Sequence, residues 1–375
     1  MRFILLFSII CFFASCKNQT EQESKKDTTS EENVAVSEDE RKSGDSLIFP
    51  GEKYFKSLRQ VTFGGDNAEA YWSPDGSQLI FQSNYKEWGL DCDQMFIMDA
   101  DETFENKMPK MVSTGKGRTT CGYFMPDGEH ILYSSTHLDH DDCPPVPEKT
   151  PGRYVWPLYD SYEIFVADLE GNIVSQLTDT LGYNAEATIS PQGDKIVFTS
   201  TRTGDLELFT MDIDGSNVKQ ITDNIGYDGG AFFSPDGSKL VFRAHHLEDE
   251  EEINHYQGLL DENLIEPSKM EIFVCNADGS DMRQVTDLGQ ANWAPFFHPS
   301  GEKIIFSSNF ESERGFPFHI YMIDIDGTNL TQVTNSETFD SFPMFSPDGK
   351  YLVFSSNRYN GGGSDTNVFI AEWQE

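Results

Sequence analysis

One four-residue phrase recurs six times in this 375-residue chain. It stands at Ser73–Gly76 (SPDG), Met125–Gly128 (MPDG), Ser190–Gly193 (SPQG), Ser234–Gly237 (SPDG), His298–Gly301 (HPSG) and Ser346–Gly349 (SPDG). Proline presets φ and glycine accepts positive φ, so the phrase is a turn, and the short apolar runs on either side are its two strands. A third apolar run follows in every copy: Met95–Met98, Ile164–Ala167, Leu208–Met211, Ile272–Cys275, Ile320–Ile323 and Val368–Ala371. In four copies an Asp-Gly turn comes next, then a fourth run ending in Gln-x-Thr. Four short strands per unit in six units predict an all-β fold, a six-bladed β-propeller of four-stranded blades.

The last copy lacks its fourth strand, because the chain ends soon after Val368–Trp373. The missing phrase stands at Leu58–Thr62, ahead of the first unit. The N-terminal strand is therefore expected to complete the last blade, closing the ring and covering an edge that would otherwise pair with other chains.

The pattern of SPDG, Ile/Leu-Val-Phe-x-Ser, apolar strand, Asp-x-Asp-Gly and Gln-x-Thr resembles the repeat of the TolB-type β-propeller over residues 58–375. That resemblance implies the fold and an envelope setting. TolB itself carries an α/β domain before its propeller and is a soluble periplasmic protein, whereas a different leader precedes Leu58 here.

That leader predicts an address. Arg2 and the apolar run Phe3–Phe13 form a secretory signal too short for a ~30 Å bilayer, and Ala14-Ser15-Cys16 resembles a bacterial lipobox. Residues 1–15 are read as a lipoprotein signal peptide, Cys16 as the lipidated residue, and 16–57 as a flexible acidic tether. From Lys17 to Ser46 there is no aromatic side chain to offset the entropy of ordering. The expected location is the cell envelope, with the membrane reached through the lipid anchor. Lys17 after the cysteine resembles an outer-membrane signal.

With 27 Lys+Arg against 63 Asp+Glu the net charge is −36, which disfavours nucleic acid as a partner. No G-x-S-x-G, P-loop or CxxC occurs, so hydrolase, nucleotide and thioredoxin-like readings lack support. Gly44–Leu47 spells a short hydrolase motif without its partner blocks. Asp212–Asn217 imitates a calcium loop but lacks the bidentate Glu, and reads as a hairpin turn.

Strand order assigns loops to faces. The SPDG and Asp-Gly turns share one face and are short. The second-to-third-strand loops share the other with the links between blades, and two of them, Thr136–Ser161 and Ala244–Lys269, are 26 residues long. Function is expected on that long-loop face. Its candidate binding residues are Trp88, Arg118, His137, His140, Arg153, Tyr154, Trp156, His245, His246, His255, Trp293 and Arg358. Aromatic and arginine side chains suit peptide hot spots or sugar stacking. The two long loops are expected to stand as separate walls of a cleft over blade three. Glu69 and Glu186, at matching positions in inner strands, bring negative charge to the channel mouth.

Two functions fit. One is a binding or scaffold module for a protein, peptide or glycan at the envelope, with no cofactor. The other is a metal-dependent lyase or hydrolase acting on a polysaccharide, drawing on His137, His140, His245 and His246 as metal ligands; Thr136–Asp142 (THLDHDD) supplies only part of a binuclear-hydrolase pattern. The lack of an evident nucleophile and of a complete ligand set favours binding. In an oxidising compartment Cys275, in line with apolar third-strand residues, is expected to be a buried free thiol, and Cys121 to pair with Cys143, the alternative being Cys92 with Cys121.

Overall fold

A computed structural model describes residues 47–105, 107–147, 154–312 and 315–375. The signal segment 1–15, Cys16, the tether up to residue 46 and Arg153 lie outside the described residues.

Six four-stranded antiparallel sheets follow one another around a ring. The inner strands are Asn67–Trp72, Thr119–Phe124, Asn184–Ile189, Gly226–Phe233, Asn292–Phe297 and Asp340–Phe345. In each blade the second and third strands carry one aromatic pair across the ladder. Phe81 faces Phe96, Tyr133 faces Phe165, Phe198 faces Phe209, Phe242 faces Phe273, Phe306 faces Tyr321 and Phe354 faces Phe369. Ring centroids of five of these pairs lie 5.8–6.1 Å apart, and the second-strand ring is fully buried in every blade. Each such pair contributes about 1 kcal/mol beyond its buried area, which explains why an aromatic returns at this position in every repeat.

The Gln-x-Thr phrase has a specific task. The Thr hydroxyl accepts the first free N–H of the third strand: Ile164 to Thr178, Leu208 to Thr222, Ile272 to Thr286 and Ile320 to Thr334, all at 2.8–2.9 Å. The Gln amide folds back to donate to the carbonyl of that same Thr. The displaced phrase does likewise, with Val368 N–H donating to Thr62 at 2.8 Å and Gln60 to the Thr62 carbonyl. Phe55–Gln60 pairs antiparallel with Asn367–Trp373, so the first strand closes the last blade as the sequence predicts.

Order begins earlier than Leu58. Leu47, Glu52 and Phe55 are buried, and Glu52 meets Arg358 inside the protein. The segment from Leu47 to Lys53 is therefore part of the folded body, because Glu52 supplies the buried Arg358 with a second counter-charge beside Asp340.

The two 26-residue loops are not separate walls. Trp156–Pro157 of the first pairs with Leu264–Ile265 of the second in a small antiparallel ladder, and Leu158 N–H donates to Asn263 at 2.8 Å. The second loop also forms a helix, Glu250–Leu260, whose N-cap Asp249 accepts from the Glu251 and Glu252 N–H groups. Tyr256 on this helix donates to the Gly226 carbonyl and to Asp205, fastening it to blades three and four. Apolar residues of both loops share one buried cluster with the inner strands (Leu158, Tyr162, Tyr256, Ile265, Trp293 and Phe318 among them). Burying that apolar surface is what joins them, and the result is a bridge over blade three.

Candidate binding funnel

The inner strands position a ring of side chains. Each breaks register with its second strand at the same place, between Ala68 and Tyr71 in blade one and at the matching residues in the other five. At that bulge one residue takes a left-handed backbone: Glu69, Cys121, Glu186, Gly230, Ala294 and Phe342, with φ between 48° and 62°. A bulge with such a residue turns one side chain out of the ladder, here toward the propeller axis. Blade four has glycine, and a Cβ at Gly230 would lie 2.0 Å from Arg243 Nη1. Glycine there lets Arg243 fill the sixth place in the ring.

Above this ring, on the long-loop face, lies a cavity of about 1200 Å³, and below it a pit of about 20 Å³. The ring residues Glu69, Cys121, Glu186, Arg243, Ala294 and Phe342 line both. The upper cavity is a funnel with one aromatic side. Trp156 and Trp293 have centroids 5.2 Å apart, Trp293 stacks on Phe318 at 4.5 Å, and Phe339 adjoins Phe318. Tyr154 and Phe316 stand at its rim, 64% and 65% exposed, so two large apolar rings face solvent at its mouth.

The ring's charges are arranged unequally. Glu186 is fully partnered: it accepts from Thr199 at 2.7 Å, from the Gly230 N–H at 3.0 Å and from Arg243. Arg243 also donates to Tyr227 and lies over the rings of Trp156 and Tyr227. Glu69, at the equivalent position in blade one, has a buried carboxylate oxygen, Oε2, with no hydrogen-bond partner. Desolvation pushes its carboxyl up to about 7, offset in part by a hydrogen bond with Cys121. Arg118 on the funnel wall is paired with Asp93, a carboxylate that burial raises.

The candidate residues divide. Arg118, Tyr154, Trp156 and Trp293 line the funnel. Trp88 does not; it packs on Phe96 and Tyr85 in the wall of blade one. Arg358 is fully buried, held by Glu52 and Asp340, so it supports the fold and presents nothing to a ligand. The histidines are dispersed. His137 packs on Phe165 at 4.4 Å, and burial lowers its pKa. His140 is exposed. His246 bonds to Asp228 at 2.9 Å, His255 to Glu266 at 3.1 Å, and burial lowers the pKa of His245. Among the described residues no group of three or more His, Cys, Asp or Glu side chains is placed to hold a metal ion, so the four proposed ligands do not converge.

The cysteine pairing also differs. Cys92 and Cys143 form the disulfide, with Cα atoms 6.0 Å apart, tying the start of blade one's third strand to blade two's long loop. Cys121 is a buried free thiol, because the bulge turns it toward the axis and away from the loop. Cys275 is free and buried as expected, and desolvation pushes it up to about 12.

Arg243, Tyr227 and the Phe316–Phe342 side of the funnel escaped the reading of loops alone. One signal was available. Every ring position stands four residues before the first residue of its turn phrase, from Glu69 before Ser73 to Phe342 before Ser346.

Residues 155–256 and 264–370, more than half of the chain, match the model of the TolB beta propeller domain. The chain belongs to the TolB β-propeller family. Its fold is shared with a putative TolB from Agrobacterium tumefaciens at 19% identity and TM-score 0.51, over 83% of this chain and 91% of that one. TolB from Acinetobacter baumannii matches at the same identity and TM-score over 83% of this TolB-family chain, but the match spans only 64% of that protein. An oligogalacturonate lyase in complex with manganese aligns at 14% identity over 85% of this chain and 93% of its own, with TM-score 0.47, a likeness too distant to carry chemistry. No curated protein matches.

Proposed function

We propose that this protein is a binding module of the cell envelope, anchored through Cys16 and a tether, whose funnel receives an extended segment of a partner protein. The observation that carries this reading is the funnel itself: about 1200 Å³ at the mouth of the channel, walled by Trp156, Trp293 and Phe318, with Tyr154 and Phe316 exposed at its rim. Aromatic anchors around a concave, partly desolvated site are what peptide hot spots use. Membership in the TolB β-propeller family agrees with a binding role.

The test compares two faces. Chemical crosslinking in intact cells, followed by purification, is run on the wild type, on Trp156→Ala and Phe316→Ser, and on Asp214→Ala in a turn of the opposite face. The expected result is that both funnel variants lose a partner that the turn variant keeps. Equal capture by all four proteins would remove the funnel from the binding surface.

A further inference from the structure

Two carboxylates occupy equivalent places in the ring, and their surroundings differ. Glu186 has a guanidinium, a hydroxyl and a backbone N–H. Glu69 keeps one buried oxygen with no partner, although leaving a desolvated carboxylate unpaired is expensive. The cations nearest the ring are committed, Arg243 to Glu186 and Arg118 to Asp93. The funnel lining as a whole carries five carboxylates and three cationic side chains. Its aromatic faces add a second attraction for positive charge.

We infer that the partner segment enters with a positively charged group, a lysine or arginine side chain or a terminal amine, which the unpartnered oxygen of Glu69 receives at the floor of the funnel. This rests on the peptide-binding reading above and adds the chemistry of the ligand. A cation at Glu69 supplies the missing partner, completes charge pairing around the ring and reaches it past Trp156 and Trp293. A neutral ligand could accept a hydrogen bond from a protonated Glu69, and the two cases respond oppositely to pH. The groups facing Glu69 are Tyr71 on its own strand, Asp93 just before the third strand of its blade, and Cys121, Glu186 and Arg243 from the other blades. Cys121 and Tyr71 are pushed up, well above the pH range that matters.

The experiment pans a displayed library of random dodecapeptides on the full chain, then measures synthetic copies of a selected peptide carrying Lys, norleucine or Glu at its most restricted position. Selected peptides should concentrate Lys or Arg at one position, and norleucine there should weaken binding at least tenfold. Glu69→Gln, nearly the same in shape, should abolish the preference of Lys over norleucine while retaining the binding the aromatic side provides. For the wild type, the Lys peptide should bind about tenfold more tightly at pH 8 than at pH 6, because the carboxyl must shed its proton to pair. Selection of peptides without a basic position, a Lys preference that survives Glu69→Gln, or binding that weakens as pH rises would each overturn the inference while leaving peptide binding intact. A library that yields no funnel-dependent peptide would overturn the peptide-binding reading itself.

Discussion

Replacing Arg358 with methionine should make the propeller markedly easier to unfold. The side chains of Arg358, Glu52 and Asp340 are all fully buried. The guanidinium donates to Glu52 Oε1 at 3.0 Å, to Asp340 Oδ1 at 3.0 Å and to Ser356 Oγ at 3.1 Å, and lies over the rings of Phe49, Phe354 and Phe369. Methionine keeps most of the apolar stem and removes the charge, leaving two carboxylates in a low-dielectric interior. Breaking a buried pair in this way costs about 3–5 kcal/mol. For a folded body of roughly 330 residues, at about 2.1 cal/mol/K of unfolding entropy per residue, 4 kcal/mol lowers Tm by about 6 °C. Scanning calorimetry on the wild type, Arg358→Met, and the combination of Arg358→Met with Glu52→Gln and Asp340→Asn would measure it. The triple variant should recover at least half of the loss, since it removes the unpaired charges. A single variant melting within about 1 °C of the wild type would refute the reasoning.

Further expectations concern the rest of the body. Cys92→Ser should lower stability by about 4 kcal/mol in the chain-entropy account, for a 51-residue separation, and non-reducing peptide mapping should find Cys92 joined to Cys143 with Cys121 and Cys275 free. A chain starting at Leu47 should match the full-length melting temperature, whereas one starting at Gly64 exposes the edge of the last blade and should aggregate by light scattering. Burial, and then the carboxylates Asp228, Asp205 and Asp223, push the Glu207 carboxyl up to about 8. A raised folded-state value means that its stability contribution is complete below the ordinary value of 4.5 and is lost as pH rises toward 8, so Glu207→Gln should flatten the fall in Tm between pH 5 and 8. Cys16→Ala should release the protein from the membrane fraction; retention with unchanged acylation would refute the lipobox.

The blade pattern was legible in the sequence because the forces that make it are local. A Pro-Asp-Gly turn, an aromatic pair across neighbouring strands and a threonine that caps the next strand all act within one repeat, so six copies state the architecture six times. Closure was legible for the same reason: the displaced Gln60–Thr62 phrase bonds to Val368 as its counterparts bond to their own blades. The ring of bulge residues lay in the same register, four positions before each turn. What surrounded those residues did not. Whether Glu69 or Glu186 would be paired depended on Gly230 leaving room for Arg243, a residue 57 positions from Glu186 in the chain. Arg358 looked like a ligand-facing arginine until the segment around Glu52, 306 residues earlier, folded over it. The long loops joined because their apolar faces could be buried only against each other and the inner strands, and Cys143 met Cys92 because a bulge turned Cys121 away. Repeated short-range contacts determined the propeller from the sequence alone; the pairing of charges, thiols and loops was decided by which distant residues the closed ring brought into the same dry space.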